Sequence, residues 1–242
     1  MSWSRNEKFL LDISHLKGAK LFRLSFAETL KREGVAALFL KAFRAFYYKA
    51  KGVDFSPQNL HDLHIKSSFK ENASVCNHVL DRSFKEILKR VKEYDPSVCE
   101  GAFLDYGSGK GKTLYLASIF GFEKTIGVEF AKELYEISER NLNRLGVKNA
   151  KTVFADAAEF IPPSDTRVVF FHNPFDERVF ERVLENILKV KFEKSVYIVY
   201  HYPLCEKVFE KYKKFKLLER FVSPTSKERS NFYILSVPDS ID

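Results

Sequence analysis

From residue 101 onward the chain alternates short runs of β-branched and aromatic residues with amphipathic stretches. That alternation predicts a mostly parallel sheet flanked by helices. "AFLDY" precedes a helix expected from about residue 111, "TIGVE" one at 131–145, and "AKTVFA" a short turn of helix. "RVVFFH" leads into a helix at 176–190 and "SVYIVYH" into one near 204–213. Spacing carries these assignments: Leu134, Ile137, Leu142 and Leu145 share one face, as do Val179, Phe180, Val183, Leu184, Ile187 and Leu188. Gly146 directly after Leu145 is a fitting helix stop. At the end the alternation breaks. "FKLLERFV" and "NFYILSV" are separated only by "SPTSKERS", too short for a parallel crossover, so these two strands are expected to be antiparallel.

Residues 1–75 read as a basic, helical N-terminal extension or lid, and 76–242 as the α/β domain. Val35, Leu38, Phe39, Ala42, Phe43 and Phe46 line one helical face, with Lys41, Arg44 and Lys49 off it. Such a face can lie on a membrane interface or grip a substrate; packing onto the domain is the favoured expectation. A second helix, through Val79, Leu80, Phe84, Ile87, Leu88 and Val91, leads towards the first strand. Between the two, residues 52–68 form a candidate lid.

Composition narrows the picture. With 45% hydrophobic and 15% aromatic content over 242 residues, the chain has material for one substantial core. Cys76, Cys99 and Cys205 are odd in number and widely spaced, which argues against a disulfide framework and a cysteine-rich zinc site and fits a reducing, cytoplasmic setting. His61 and His64 lack a third ligand nearby, so no metal is expected. No apolar run approaches the roughly 18 residues of a membrane span. Residues 1–60 carry eleven basic side chains against five acids, leaving only +2 of the net +8 for the remainder. A basic appendage on a near-neutral body suits an anionic partner, or serves only as a solvated face.

The candidate chemistry begins at "FLDYGSGKGKT", residues 103–113. Gly111, Lys112 and Thr113 fit the end of a phosphate-binding P-loop, but its first glycine falls on Tyr106. Gly107 and Gly109 open a dinucleotide fingerprint, yet its third glycine falls on Lys112. What remains is D-x-G-x-G-x-G with Asp105 ending the strand. A carboxylate beside a pyrophosphate is repulsive, whereas a ligand bearing an ammonium group accepts one. A tight strand-to-helix turn needing glycine at positive φ is the plainer reading of the same residues.

On Asp105, Gly107, Gly109 and Gly111 the stretch resembles motif I of class I S-adenosylmethionine-dependent methyltransferases. The resemblance extends over about residues 75–242 and implies a doubly wound, seven-stranded, mostly parallel sheet with an antiparallel last strand. It implies S-adenosylmethionine as cofactor, S-adenosylhomocysteine as product, and a reading of the residues that end each strand. Asp105 would meet the methionine ammonium, directly or through water. Glu129 would accept both ribose hydroxyls, or else stabilise the following helix. Asp156 would contact the adenine amino group, with the Ala157 N–H offered to the ring, or else act as a helix cap. Ser108 and Phe130 complete the implied cofactor set.

The fourth strand ends in "FFHNPFD", where Asn173, Pro174 and Phe175 resemble the [DN]-P-P-[FYW] of amine-methylating members, one proline short. An Asn-initiated turn explains the same residues. The acceptor expected from this motif is a nitrogen, on a protein lysine or another amine. O-methylation of a small molecule with His172 or His201 as base, and a non-catalytic RNA-binding module, stand as alternatives. Tyr202 and Pro203 follow His201 and would line the acceptor side, or simply end the strand.

Overall fold

The structure, a computed structural model, describes residues 35, 39, 42–57, 79–224 and 226–237. It divides into two compact units, Met1–Ala50 and Lys51–Asp242. In the first, Val35, Phe39 and residues 42–50 are helical. Val35, Phe39, Phe43 and Phe46 are exposed, Phe39 to 72%. Most of the basic segment, the 58–68 part of the candidate lid, His61, His64 and Cys76 lie outside the described residues.

The second unit opens with helix α1 (Asp81–Tyr94), whose buried face is Phe84, Ile87, Leu88 and Val91. Then follow β1 (Ala102–Tyr106), α2 (Lys112–Phe120), β2 (Lys124–Glu129), α3 (Lys132–Arg144) and β3 (Ala150–Phe154). After them come β4 (Thr166–His172), α4 (Glu177–Lys189), β5 (Val196–His201), β6 (Phe215–Val222) and β7 (Arg229–Leu235). The seven strands run in the order β3-β2-β1-β4-β5-β7-β6. β1 to β5 are parallel, and β7 lies antiparallel between β5 and β6. Where the sequence predicts a helix near 204–213, the chain makes only a 3₁₀ segment, Glu206–Lys211. After β3, one turn closes with the Glu159 and Phe160 N–H groups donating to the Asp156 carbonyl.

Strand alternation sorts the core onto two sides of the sheet. Leu104, Tyr106, Phe171 and Tyr200 pack with Phe180, Val183 and Leu184 of α4. Phe103, Phe170, Val199 and Phe232 pack with Phe84 and Leu88 of α1 and Leu114 of α2. α3 departs from its apolar pattern: Ser138 and Asn141 are fully buried beside Leu134 and Leu142, while Ile137 and Leu145 are only half-buried. The two polar residues turn inward because this face meets the glycine loop.

Candidate active site

Parallel register brings the ends of four adjacent strands to one edge of the sheet. Tyr106 pairs with Val128 and Phe171, and Glu129 pairs with Phe154. Asp105, Glu129, Asp156 and Asn173 therefore stand at the carboxyl ends of neighbouring strands in the order β1, β2, β3 and β4. In an open α/β sheet this edge is where ligands bind.

The loop between β1 and α2 is held from below and from the side. The Gly107 and Ser108 N–H groups donate to the Val128 carbonyl at 2.9 and 3.2 Å. The Gly109 N–H donates to Glu129 Oε2 at 2.8 Å, and the Asn141 amide donates to the Lys110 carbonyl at 3.0 Å. Gly107 and Gly111 have φ of +79° and +78°, a region costly for any residue with a Cβ. A Cβ on Gly111 would meet Ser138 Oγ at 2.2 Å, and one on Gly107 would meet Pro174 at 2.8 Å. Beneath the loop, a Cβ on Gly127 would stand 2.3 Å from Ser108 Oγ, so Ser108 fits only over a glycine.

Asp105 and Glu129 give the site its electrostatic character. Asp105 Oδ2 accepts from the Thr113 hydroxyl, while buried Oδ1 has no partner. Burial pushes this carboxyl up to about 7, with Thr113 pulling it down and the Glu129 charge raising it further. Burial likewise pushes Glu129 up to about 7, against N–H groups from Ala131, Gly109 and Phe130. Glu129 Oε1 takes the Ala131 N–H at 2.9 Å, so both carboxylate oxygens are held by backbone N–H groups. Two buried acids, one with an orphaned oxygen, are a poor arrangement on their own and a good one for a ligand carrying positive charge and hydroxyls. Asp156 Oδ1 accepts the Ala158 N–H at 2.8 Å within a turn, not as the cap of a helix. Ala157 is buried beside it, and Phe130 follows Glu129 half-buried. These residues fit S-adenosylmethionine: cation-accepting acids, a ribose-sized carboxylate and a glycine loop without a phosphate cradle.

On the other side of β1, Asn173 adopts φ +44°, and its Oδ1 accepts the Tyr200 hydroxyl at 3.0 Å. Tyr200 in turn accepts the Cys205 N–H at 3.1 Å. Phe175 packs edge-on against Tyr106, and Asp176 caps α4 by accepting the Val179 N–H at 2.9 Å. His172 and His201 pair in register with ring centroids 4.9 Å apart. His201 is fully buried: Nδ1 lies 2.9 Å from Ser230 Oγ, and burial pushes the ring down to about 3 despite Glu228 at 3.6 Å. A ring neutral to that degree is a weak candidate for a base working near neutral pH. Among the described residues no group of three or more His, Cys, Asp or Glu could hold a metal, and no helix is long and apolar enough to cross a membrane.

Several contributors escape the sequence reading: Gly127, Asn141, Tyr200 and the ion pair of Lys110 with Asp54 at 2.6 Å. The one available signal was the pair of polar residues, Ser138 and Asn141, flanking the apolar stripe of α3.

The family model for protein-L-isoaspartate(D-aspartate) O-methyltransferase matches residues 82–164. That third of the chain holds the glycine loop, Glu129 and Asp156, and stops before β4. No curated protein matches the sequence. Among solved structures, the Escherichia coli protein yhhF, a candidate methyltransferase, is 17% identical with a TM-score of 0.52, over 64% of this chain and 87% of its own. An S-adenosylmethionine-dependent methyltransferase from Aquifex aeolicus is 15% identical with a TM-score of 0.48, over 65% of this chain and 100% of its own. The magnesium protoporphyrin IX methyltransferase of Synechocystis, solved with bound S-adenosylmethionine, is 9% identical with a TM-score of 0.48, over 64% and 77%.

Proposed function

We propose that the chain is a class I S-adenosylmethionine-dependent methyltransferase, and that it methylates an amine nitrogen, on a protein lysine or a smaller amine, presented at Asn173, Pro174 and Phe175. The observation that carries the acceptor assignment is the Asn173 side chain, oriented by Tyr200 and contiguous through Pro174 with the glycine loop.

When bound, the cofactor supplies an activated methyl group on a sulfonium. The protein's share is positioning, because an in-line displacement needs the attacking lone pair aimed at the methyl carbon. Asp105 would hold the methionine ammonium, Glu129 the ribose hydroxyls, and Asp156 with the Ala157 N–H the adenine, with Ser108 and Phe130 flanking them. The Asn173 carbonyl oxygen would accept an N–H of the acceptor, which would turn the nitrogen lone pair towards the methyl group. A lysine must first lose a proton from an ordinary pKa near 10.4. Desolvation at the strand ends and a neighbouring positive charge both favour the neutral amine, so no dedicated base is needed. The burial of His201 supports this reading over a histidine-assisted O-methylation.

A labelled-methyl transfer assay on amine and hydroxyl acceptors tests the reading. Transfer to amines, with Asn173→Ala sparing cofactor affinity and cutting turnover by orders of magnitude, is the expected result. Transfer to hydroxyls alone, or full turnover in Asn173→Ala, would remove Asn173 from the mechanism.

A further inference from the structure

The glycine loop contains Lys110 and Lys112 at the start of a helix, a combination that favours phosphates in general. Both lysines are paired with acids from elsewhere in the chain. Lys112 Nζ lies 2.5 Å from Asp81. Lys110 is only 2% exposed, and its Nζ donates to Asp54 Oδ2 at 2.6 Å and Ser56 Oγ at 3.1 Å.

Asp54 is held through its backbone and both carboxylate oxygens. Its N–H donates to Asn141 Oδ1 at 2.9 Å and its carbonyl accepts from Asn141 Nδ2 at 2.8 Å, the same amide that reaches Lys110. Asp54 Oδ1 takes the Ser56 N–H at 2.8 Å and the Ser56 hydroxyl at 2.6 Å. The Gly52 carbonyl accepts from Arg144, and Phe55 stacks on Tyr115 with centroids 6.4 Å apart. Residues 52–56 thus clasp the outer side of the loop. Burial raises the Asp54 carboxyl, but the bonds from Lys110 and Ser56 outweigh it and hold the group below its ordinary value, charged at neutral pH.

We propose that Asp54 is a specificity-determining residue: by neutralising Lys110 it converts a loop with the makings of a phosphate site into one that admits a cationic sulfonium ligand. The proposal rests on the cofactor reading above. S-adenosylmethionine carries one more positive charge than S-adenosylhomocysteine, so an uncompensated ammonium in the loop penalises the first more than the second. Through protein and nearby water, one unit charge at loop distance shifts the affinity of another by roughly fivefold.

The test is calorimetric titration of the whole chain, wild type, Asp54→Asn and Lys110→Met, at low salt, with S-adenosylmethionine, S-adenosylhomocysteine and inorganic pyrophosphate. Asp54→Asn is expected to lose about fivefold for S-adenosylmethionine, with a smaller loss for the homocysteine, and to gain pyrophosphate binding that salt abolishes. Lys110→Met leaves the Asp54 carboxylate uncompensated, so it should shift the ratio of the two methionine ligands the opposite way, towards S-adenosylmethionine, and bind no pyrophosphate. Both variants break the same ion pair, so a purely structural role would move them alike. Equal losses in the two variants, or an unchanged ratio in Asp54→Asn, would overturn the proposal. Wild type that prefers pyrophosphate to both methionine ligands would overturn the cofactor reading together with it.

Discussion

Pro174 lies against Gly107, so that a Cβ on Gly107 would stand 2.8 Å from the Pro174 Cβ. The loops leaving β1 and β4 are therefore in contact, with no room for a methyl group between the proposed cofactor and acceptor halves. Gly107→Ala adds that methyl at φ +79°. The backbone conformation alone costs about 1–2 kcal/mol, and the contact displaces Pro174. Cofactor affinity is expected to fall by roughly tenfold, with turnover falling further. Titration and single-turnover rates check this, and an affinity equal to wild type would separate the two loops functionally.

Tyr200 and Asn173 make a second pair whose roles can be separated. Asn173→Ala removes the acceptor contact. Tyr200→Phe removes the bond that orients it, a net contribution of about 1 kcal/mol, together with the one that Tyr200 accepts from the Cys205 N–H. Tyr200→Phe should lower kcat roughly fivefold, leave cofactor affinity alone, and add little on top of Asn173→Ala. A double-mutant cycle on kcat reads the coupling directly. Additive effects would show that Tyr200 acts elsewhere.

The two buried acids make cofactor binding depend on pH. Both carboxyls are pushed up to about 7 in the ligand-free protein, and a cationic ligand favours their charged forms. Affinity for S-adenosylmethionine should therefore rise as pH increases towards and through about 7, with proton release on binding, and level off above it. The folded chain binds these protons more tightly than the unfolded one. Its stability from these groups is thus fully present below about pH 4 and is lost as pH rises to about 7. Calorimetry in buffers of different ionisation enthalpy measures the released protons, and Asp105→Asn should reduce their number. Pyrophosphate-like behaviour, with affinity falling as pH rises, is the contrary outcome.

His201 has the opposite linkage to acid. Its folded value is pushed down to about 3, against an ordinary value of about 6.5. The unfolded chain takes up a proton that the folded chain refuses, so stability is retained above about pH 6.5 and lost as pH falls from there to about 3. Acid denaturation of His201→Asn should therefore be shallower than that of wild type across this window. The turnover profile of wild type should show no limb belonging to His201. A limb near 6.5 that disappears in His201→Asn would restore that ring to the chemistry.

What was legible in the sequence and what was not differ by the range of the contacts involved. β-strand runs, the α4 stripe and the strand-ending acids Asp105, Glu129 and Asp156 are local features, and each appears at its expected element. The antiparallel relation of β6 and β7 followed from a connection too short for anything else. Asp54 meets Lys110 across 56 positions and Asn141 across 87, separations that leave no period to read. Gly127 looks like an interruption in an apolar strand until Ser108 is seen resting on it. Asp156 is the instructive case: the helix cap that the sequence allowed becomes a bond from the Ala158 N–H within a single turn, because no helix follows it.

β7 is inserted between β5 and β6, although it follows β6 along the chain. During synthesis, β6 leaves the ribosome with no neighbour to pair with, and β5 keeps an open edge beside it. Both wait for Arg229–Leu235, and until that segment arrives Leu217, Leu218 and Val222, already exposed in the finished protein, lie on a strand that can recruit other chains as readily as its own. A chain interrupted after Val222 would consequently be an aggregation hazard while its entire glycine loop was already made.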